Sequence, residues 1–383
     1  MTVADLTERL VAIPSHDDET AAGDAVADWF ETATVERDTH GNVFARQNPN
    51  GETQLAFVGH HDVVPPAPRQ TTDDGGYAVE RRGERLYGRG TADMVGSLAA
   101  AMHAVESADP DLLRGADLEL CFVSFVGEED GGVGCRAAVD DGFAPEYAVV
   151  GEGSTGYSAP GVTDVAVAHK GRRGSTLTVT GEAAHASEPE AGVNAAYRAA
   201  DAVDAVRGLD APTATVQGKQ LAGSLAVTGV ESGTAWNVIP ESATVTVDER
   251  TVPGERAPLD RVAELPGVEW TVDQDLPPMA CDDRAFADAV LDAARVVQVD
   301  ETSVDGGDVP GVDPPADAMP QRVGKPHATD AGWLAQAGTA CVVCGASEPG
   351  EAHTDTESVS VGVLDRLEAI YAETVERVAA VDR

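Results

Sequence analysis

Histidines and carboxylates recur in this chain close behind short apolar runs. GHHDVVP (59–65) follows LAFV (55–58), and GEED (127–130) follows LELCFVSFV (118–126). GEGS (151–154) follows YAVV (147–150), and GASEPGEAHT (345–354) follows ACVV (340–343). LYGRGTADMVG (86–96) adds Asp93 at the start of a helical stretch. Imidazoles and carboxylates together are nitrogen and oxygen donors for a divalent cation such as zinc. In His60-His61-Asp62, a metal-bound imidazole could have its second nitrogen held by Asp62, which fixes the tautomer and raises basicity. Each feature alone also has a plainer reading. The histidine pair can be a solvated loop, Asp93 a helix N-cap, Glu128-Glu129 and Glu152 surface carboxylates, and His353 an exposed histidine.

The elements that must position these residues are legible as patterns. Apolar runs without alternation read as strands buried on both faces, and helical periods at 94–107, 134–141 and 362–381 lie between or after them. Alternating strands and helices predict an α/β fold with a mostly parallel sheet. Ligands of such sheets collect beyond the carboxyl ends of the strands, so four strand ends would bring donors to one rim. From about 165 the texture changes. The segments 175–180, 225–230 and 242–248 are Thr/Val-rich and partly alternating, with a helix at 192–207. They predict an antiparallel α+β domain with one wet face. The expected organisation is therefore an α/β domain of residues 1–165 and 277–383 with an α+β domain, 166–276, inserted in it. The Gly/Asp/Pro-rich stretch 304–320 is expected as a surface loop. Cys341 and Cys344 have CxxC spacing, but flanking a Val-Val pair in a strand they read as buried apolar residues.

Taken together in order and spacing, these segments resemble one family over nearly the whole chain. It is the co-catalytic zinc amidohydrolase and peptidase family that includes succinyl-diaminopimelate desuccinylase, acetylornithine deacetylase, aminoacylase and glutamate carboxypeptidase. The resemblance runs through GHHDVVP, GRGTADM, GEEDGG, GEG, GEAAHASEPEAGVNA (181–195), WNVIP (236–240), VDER (247–250), ATDAGWLAQAG (328–338) and AHTDTESV (352–359). It implies two zinc ions, with cobalt or manganese as substitutes, one held by His60 and Glu152, the other by His353 and Glu129, with Asp93 bridging. It also implies Glu128 as general base to a zinc-activated water, Asp62 as the partner of His60, and a cis peptide between Asp93 and Met94. The inserted domain would serve as a dimerisation and lid domain. His185 would act as an oxyanion stabiliser in the active site of a partner subunit, which requires a homodimer. Asn237, Arg250 and Thr329 would contact the substrate. GRRGS (171–175) resembles the desuccinylase branch, where Arg172 and Ser175 would hold a succinyl carboxylate. Two positions depart from the family pattern: Val95 stands where a lysine is usual, and Gly153 where a proline is common.

Composition limits the partners. With 66 acidic and 26 basic residues the formal net charge is −40, which argues against nucleic acid or an anionic membrane as partner. Such charge is best tolerated where salt screens it, so a high-salt cytoplasm is the expected environment. Five cysteines do not make a disulfide framework, and the first residues, MTVADLTERLVAIPS, lack the basic and apolar regions of a signal peptide. The expected activity is hydrolysis of the amide bond of an N-acyl amino acid, succinylated or acetylated. The alternatives are a carboxypeptidase or dipeptidase of the same family and, in another class, an inactive metal-binding or regulatory homologue.

Overall fold

Backbone polar groups of a strand buried on both faces must pair with neighbouring strands, and the four apolar runs do so with one another. In the computed structural model, which describes residues 1–73, 75–303 and 318–380 (side chains of 300–303 excepted), Thr53–His60 pairs in parallel with Leu118–Phe125 on one side and Tyr147–Val150 on the other. Ala340–Val343 continues the parallel set beside Tyr147–Val150. The register, Leu55 opposite Leu120 and Tyr147, brings all four carboxyl ends to one edge. Antiparallel strands flank this centre: Val43–Gln47 and Thr34–Arg37 on one side, Val165–His169 on the other. The expected α/β class and its parallel centre are therefore present.

Helices cover the sheet. Gly96–Glu106, apolar nearly all round, is buried beneath Val3–Val11 and Val361–Ala379, and Arg284–Ser303 packs on the last of these. Phe57 and Tyr371, both fully buried, meet at 4.7 Å between ring centroids and fix the C-terminal helix to the central strand. Asp93 is not a helix N-cap. The helix starts at Gly96, and Asp93 lies in an irregular turn at φ −129°, ψ 95°. The Asp93–Met94 peptide is cis. Met94 is buried against two strand ends: a Cβ on Gly59 or Gly151 would fall 2.5 or 2.7 Å from its Cε, so a side chain at either glycine would displace the Met94 methyl. Cys341 and Cys344 are fully buried. Among the described residues no helix is long and apolar enough to cross a membrane.

The described residues form two compact units: Met1–Ala168 with Ala280–Lys325 and Thr329–Arg383, and His169–Met279 with Pro326–Ala328. In the second, four antiparallel strands run in the order Ser224–Ser232, Ser242–Thr251, Gly171–Thr180, Val268–Leu276. One sheet face buries Leu177, Val179, Val245 and Val247 with Ala199, Ala202 and Val206 of the helix Ala195–Arg207. The alternation read from the sequence is the alternation of this sheet, with Thr178 and Thr244 on the wet face. The loop expected at 304–320 lies outside the described residues, save 318–320.

Candidate metal centre

His60 ends its strand, and Glu152 follows the end of Tyr147–Val150 by two residues, so the parallel register places both at the same edge. The irregular turn brings Asp93 between them. His60 Nε2 lies 3.4 Å from Asp93 Oδ1 and 3.4 Å from Glu152 Oε1. The other Asp93 oxygen, Oδ2, is 3.0 Å from His353 Nε2, which is also 2.8 Å from Glu129 Oε1. The result is two sets of three donors, His60/Asp93/Glu152 and Asp93/Glu129/His353, each with its ligand atoms within 4.8 Å of one another. Asp93 belongs to both and offers a different oxygen to each. His353 reaches its place from a backbone at φ +60°, a left-handed conformation uncommon for a bulky residue.

The surroundings of His60 fit a cation. Its Nδ1 lies 3.0 Å from the carbonyl oxygen of Asp62 and 3.3 Å from Asp62 Oδ1, so the Nδ1 proton is directed there. Nε2 is buried and, among the described residues, has no hydrogen-bond partner. A buried imidazole nitrogen without a partner, facing two carboxylates, is the donor arrangement of a mixed N/O divalent-metal site. Asp62 does more than hold His60. Its two oxygens accept the main-chain N–H groups of Glu128 (3.1 Å) and Glu129 (3.0 Å). That anchors a non-helical turn in which Glu129 turns to His353, while among the described residues nothing hydrogen-bonds the Glu128 carboxyl.

Electrostatics divide the carboxylates by partner. Burial first, then the charges of Asp330, Glu152 and Asp93, push Glu128 well above the usual carboxyl range. Burial also raises Glu129, with His353 opposing it. Burial would raise Asp93 too, but its hydrogen bond with His353 and the nearby His60 imidazole hold it well below the usual range. Those bonds to Asp93 and Glu129 in turn raise His353 to about 10. An acid-lined pocket of this kind is self-repelling until positive charge enters it.

Four residues around the centre went unread in the sequence. Lys325, 5% exposed, donates to Glu152 Oε2 at 3.0 Å and, against the cost of burial, holds that carboxylate ionised. Glu19 accepts the Gly127 N–H at 3.1 Å, and burial with the nearby Asp62 raises it to about 7. Asp330, beside Thr329, has both carboxylate oxygens buried without a hydrogen-bond partner among the described residues and is pushed to about 7 by burial and by Asp62 and Glu152. Glu357 holds the backbone at Asp93. The one available signal was rarity: Lys325 is one of three lysines (Lys170, Lys219, Lys325) against 26 basic residues in all. His61, by contrast, turns away from the centre. Its Nδ1 is 2.7 Å from Ser124 Oγ, and burial lowers it to about 4.

In the second unit, Arg172 and Arg250 are cross-strand partners on the half-exposed side of the sheet. Both bind Asp248, through Arg172 Nε (2.7 Å) and Arg250 Nε (2.9 Å). Ser175 is fully buried, in phase with Leu177 and Val179, and its Oγ has no partner among the described residues. That placement sets it on the opposite face of the strand from Arg172. His185 is exposed, with Nδ1 2.7 Å from Ser187 Oγ, and pairs across a two-residue ladder with Val238, next to Asn237. Thr329, in the first unit, is 5% exposed, and its hydroxyl accepts the Ala331 N–H at 3.2 Å.

Two donor triads sharing one carboxylate at the carboxyl edge of a parallel sheet make a candidate centre for a pair of metal ions, an arrangement that metal-dependent hydrolases use. More particularly, the chain belongs to peptidase family M20/M25/M40, whose sequence pattern matches residues 56–377. It is 28% identical over 375 residues to the succinyl-diaminopimelate desuccinylase of Bordetella avium (strain 197N), covering 91% of this chain and 89% of that enzyme. It is 30% identical over 349 residues to the acetylornithine deacetylase of Myxococcus xanthus, covering 85% and 80%. A Bacillus subtilis protein described as a dinuclear metal binding peptidase of the M20 family shares the fold at a TM-score of 0.67, with 14% identity over 99% and 98% of the two chains.

Proposed function

We propose that this hydrolase cleaves the amide bond of small N-acyl amino acids and that the observation carrying the reading is Asp93, whose two oxygens face different donor triads beside an unengaged Glu128. The donors suit two zinc ions, and cobalt or manganese would also be accepted by such nitrogen and oxygen ligands. In this reading His60, Asp93 and Glu152 hold one ion and Asp93, Glu129 and His353 the other. When bound, such a pair supplies Lewis acidity and lowers the pKa of water toward neutrality. The residues of the chain do the rest. Asp62 keeps the His60 proton on Nδ1 and fixes the turn that carries Glu128. Glu128 takes the proton of the attacking water and passes it to the departing amine. Lys325 occupies the second oxygen of Glu152 and so turns the first toward His60.

Arg172 and Arg250, drawn together by Asp248, support recognition of a carboxylate on the substrate, because a guanidinium fork matches a planar carboxylate. Asn237 and Thr329 are assigned to substrate contact on the family pattern. A panel of N-succinyl-diaminopimelate, N-acetylornithine, other N-acyl amino acids and dipeptides tests the reading. We expect turnover of the succinylated compound to exceed the dipeptides by at least about tenfold, a 1.4 kcal/mol preference. The panel belongs in molar salt, since the charge of −40 supports a high-salt cytoplasm as the working environment. Faster cleavage of dipeptides would move the chain to the peptidase reading, which the M20 peptidase likeness supports.

The inserted unit is assigned to dimerisation, with His185 acting in the partner's site. Sedimentation should then give a mass of two chains, and a fully active monomer would remove this role from His185.

A further inference from the structure

The carboxylate of Glu357 serves backbone, not solvent. It is 1% exposed, and its Oε1 accepts the N–H groups of Ala92 (3.0 Å) and Asp93 (3.2 Å). Its Oε2 pairs with Arg89, itself 4% exposed. Glu357 stands four residues after His353, and its own carbonyl oxygen accepts the Gly88 N–H at 3.1 Å. Beyond it Ser358–Ser360 is zipped antiparallel to Arg85–Tyr87. One segment thus carries His353 to its triad and grips the two peptide N–H groups that lead into Asp93.

Asp93 needs such a hold. Its φ and ψ are not helical, so no helix cap or helical hydrogen-bond ladder orients it. A single carboxylate oxygen accepting two successive N–H groups fixes the turn, because either N–H left unpaired in this interior would cost a hydrogen bond. We infer that Glu357 is a positioning residue for the shared ligand: it sets the turn that points the two Asp93 oxygens at different triads and ties it to the segment bearing His353. The inference rests on the two-ion reading of the site. Arg89 supplies the opposite charge, and that ion pair by itself would be a purely structural feature.

Two substitutions separate these roles. Glu357→Gln and Glu357→Met both leave Arg89 without its charge partner, but only the glutamine keeps a carbonyl oxygen able to accept both N–H groups. Co²⁺ alone, titrated calorimetrically into the metal-stripped full-length chain, should bind Glu357→Met about 10–100-fold more weakly than Glu357→Gln. The visible Co²⁺ absorption of Glu357→Met should also differ from that of the unaltered chain, which a loss of global stability would not produce. If Glu357→Met does not fold, the same comparison is made on an Arg89→Leu background, where no unpaired charge remains buried. A difference under about tenfold between the methionine and glutamine variants overturns the positioning role. Failure of the unaltered chain to take up Co²⁺ overturns the metal centre itself, and the inference with it.

Discussion

Glu128→Gln should lower turnover by about 10²–10⁴-fold while the protein keeps the metal content of the unaltered chain. Both halves of that result follow from one turn. Asp62 holds the N–H groups of residues 128 and 129 on its two oxygens, so adjacent side chains leave in different directions. Glu129 goes to His353, whereas the Glu128 carboxyl makes no hydrogen bond to the described residues. Burial and the neighbouring Asp330, Glu152 and Asp93 raise that carboxyl well above the usual range. Positive charge in the pocket would reverse the repulsion and bring Glu128 back toward the range where a carboxylate accepts a proton from water. Glutamine preserves shape and volume but cannot carry the proton. Steady-state rates, with metal quantified on the same samples, decide the matter. Turnover within tenfold of the unaltered enzyme would remove Glu128 from the reaction, and a variant depleted of metal would make it a ligand.

Asp93→Ala should have the second large effect, through both triads at once. The substitution removes the one residue they share, whereas Glu152→Ala or His353→Ala removes a donor from one only. Removing an outer partner of a ligand costs about 10–100-fold in metal affinity, so loss of the shared ligand should exceed the upper end of that range. After dialysis we expect less than one equivalent of metal per chain in Asp93→Ala and activity at the background level. The Asp93 carboxylate is already in the form a ligand needs. His353 and His60 hold it well below the usual range in spite of its burial, which favours the ionised form. Two retained equivalents of metal would show that the triads do not depend on Asp93 as a bridge.

Much of this was legible in the residues themselves, and the reason is burial. Strands covered on both faces must be apolar throughout, so LAFV, LELCFVSFV, YAVV and ACVV announce the sheet centre. A parallel sheet has one carboxyl edge, so the polar residues behind those runs had to meet. The alternation of the antiparallel sheet was equally open, and applied to GRRGSTLTVT it already sets Ser175 in phase with Leu177 and Val179, on the buried face.

What the sequence by itself determined was the order of the strands' polar ends and the types of donor they carry. Only the tertiary structure decided which carboxylate plays which part. Lys325 meets Glu152 from 173 residues away and Glu357 meets Asp93 from 264, and the partner of each is fixed by how the chain packs. His60 and His61 are identical side chains side by side, yet at the strand's end one turns to Asp93 and Glu152 and the other to Ser124. Glu128 and Glu129 are likewise separated only by the turn that Asp62 holds. A local pattern records periodicity and residue type; the charge a group carries and the atom it faces depend on neighbours that only folding supplies.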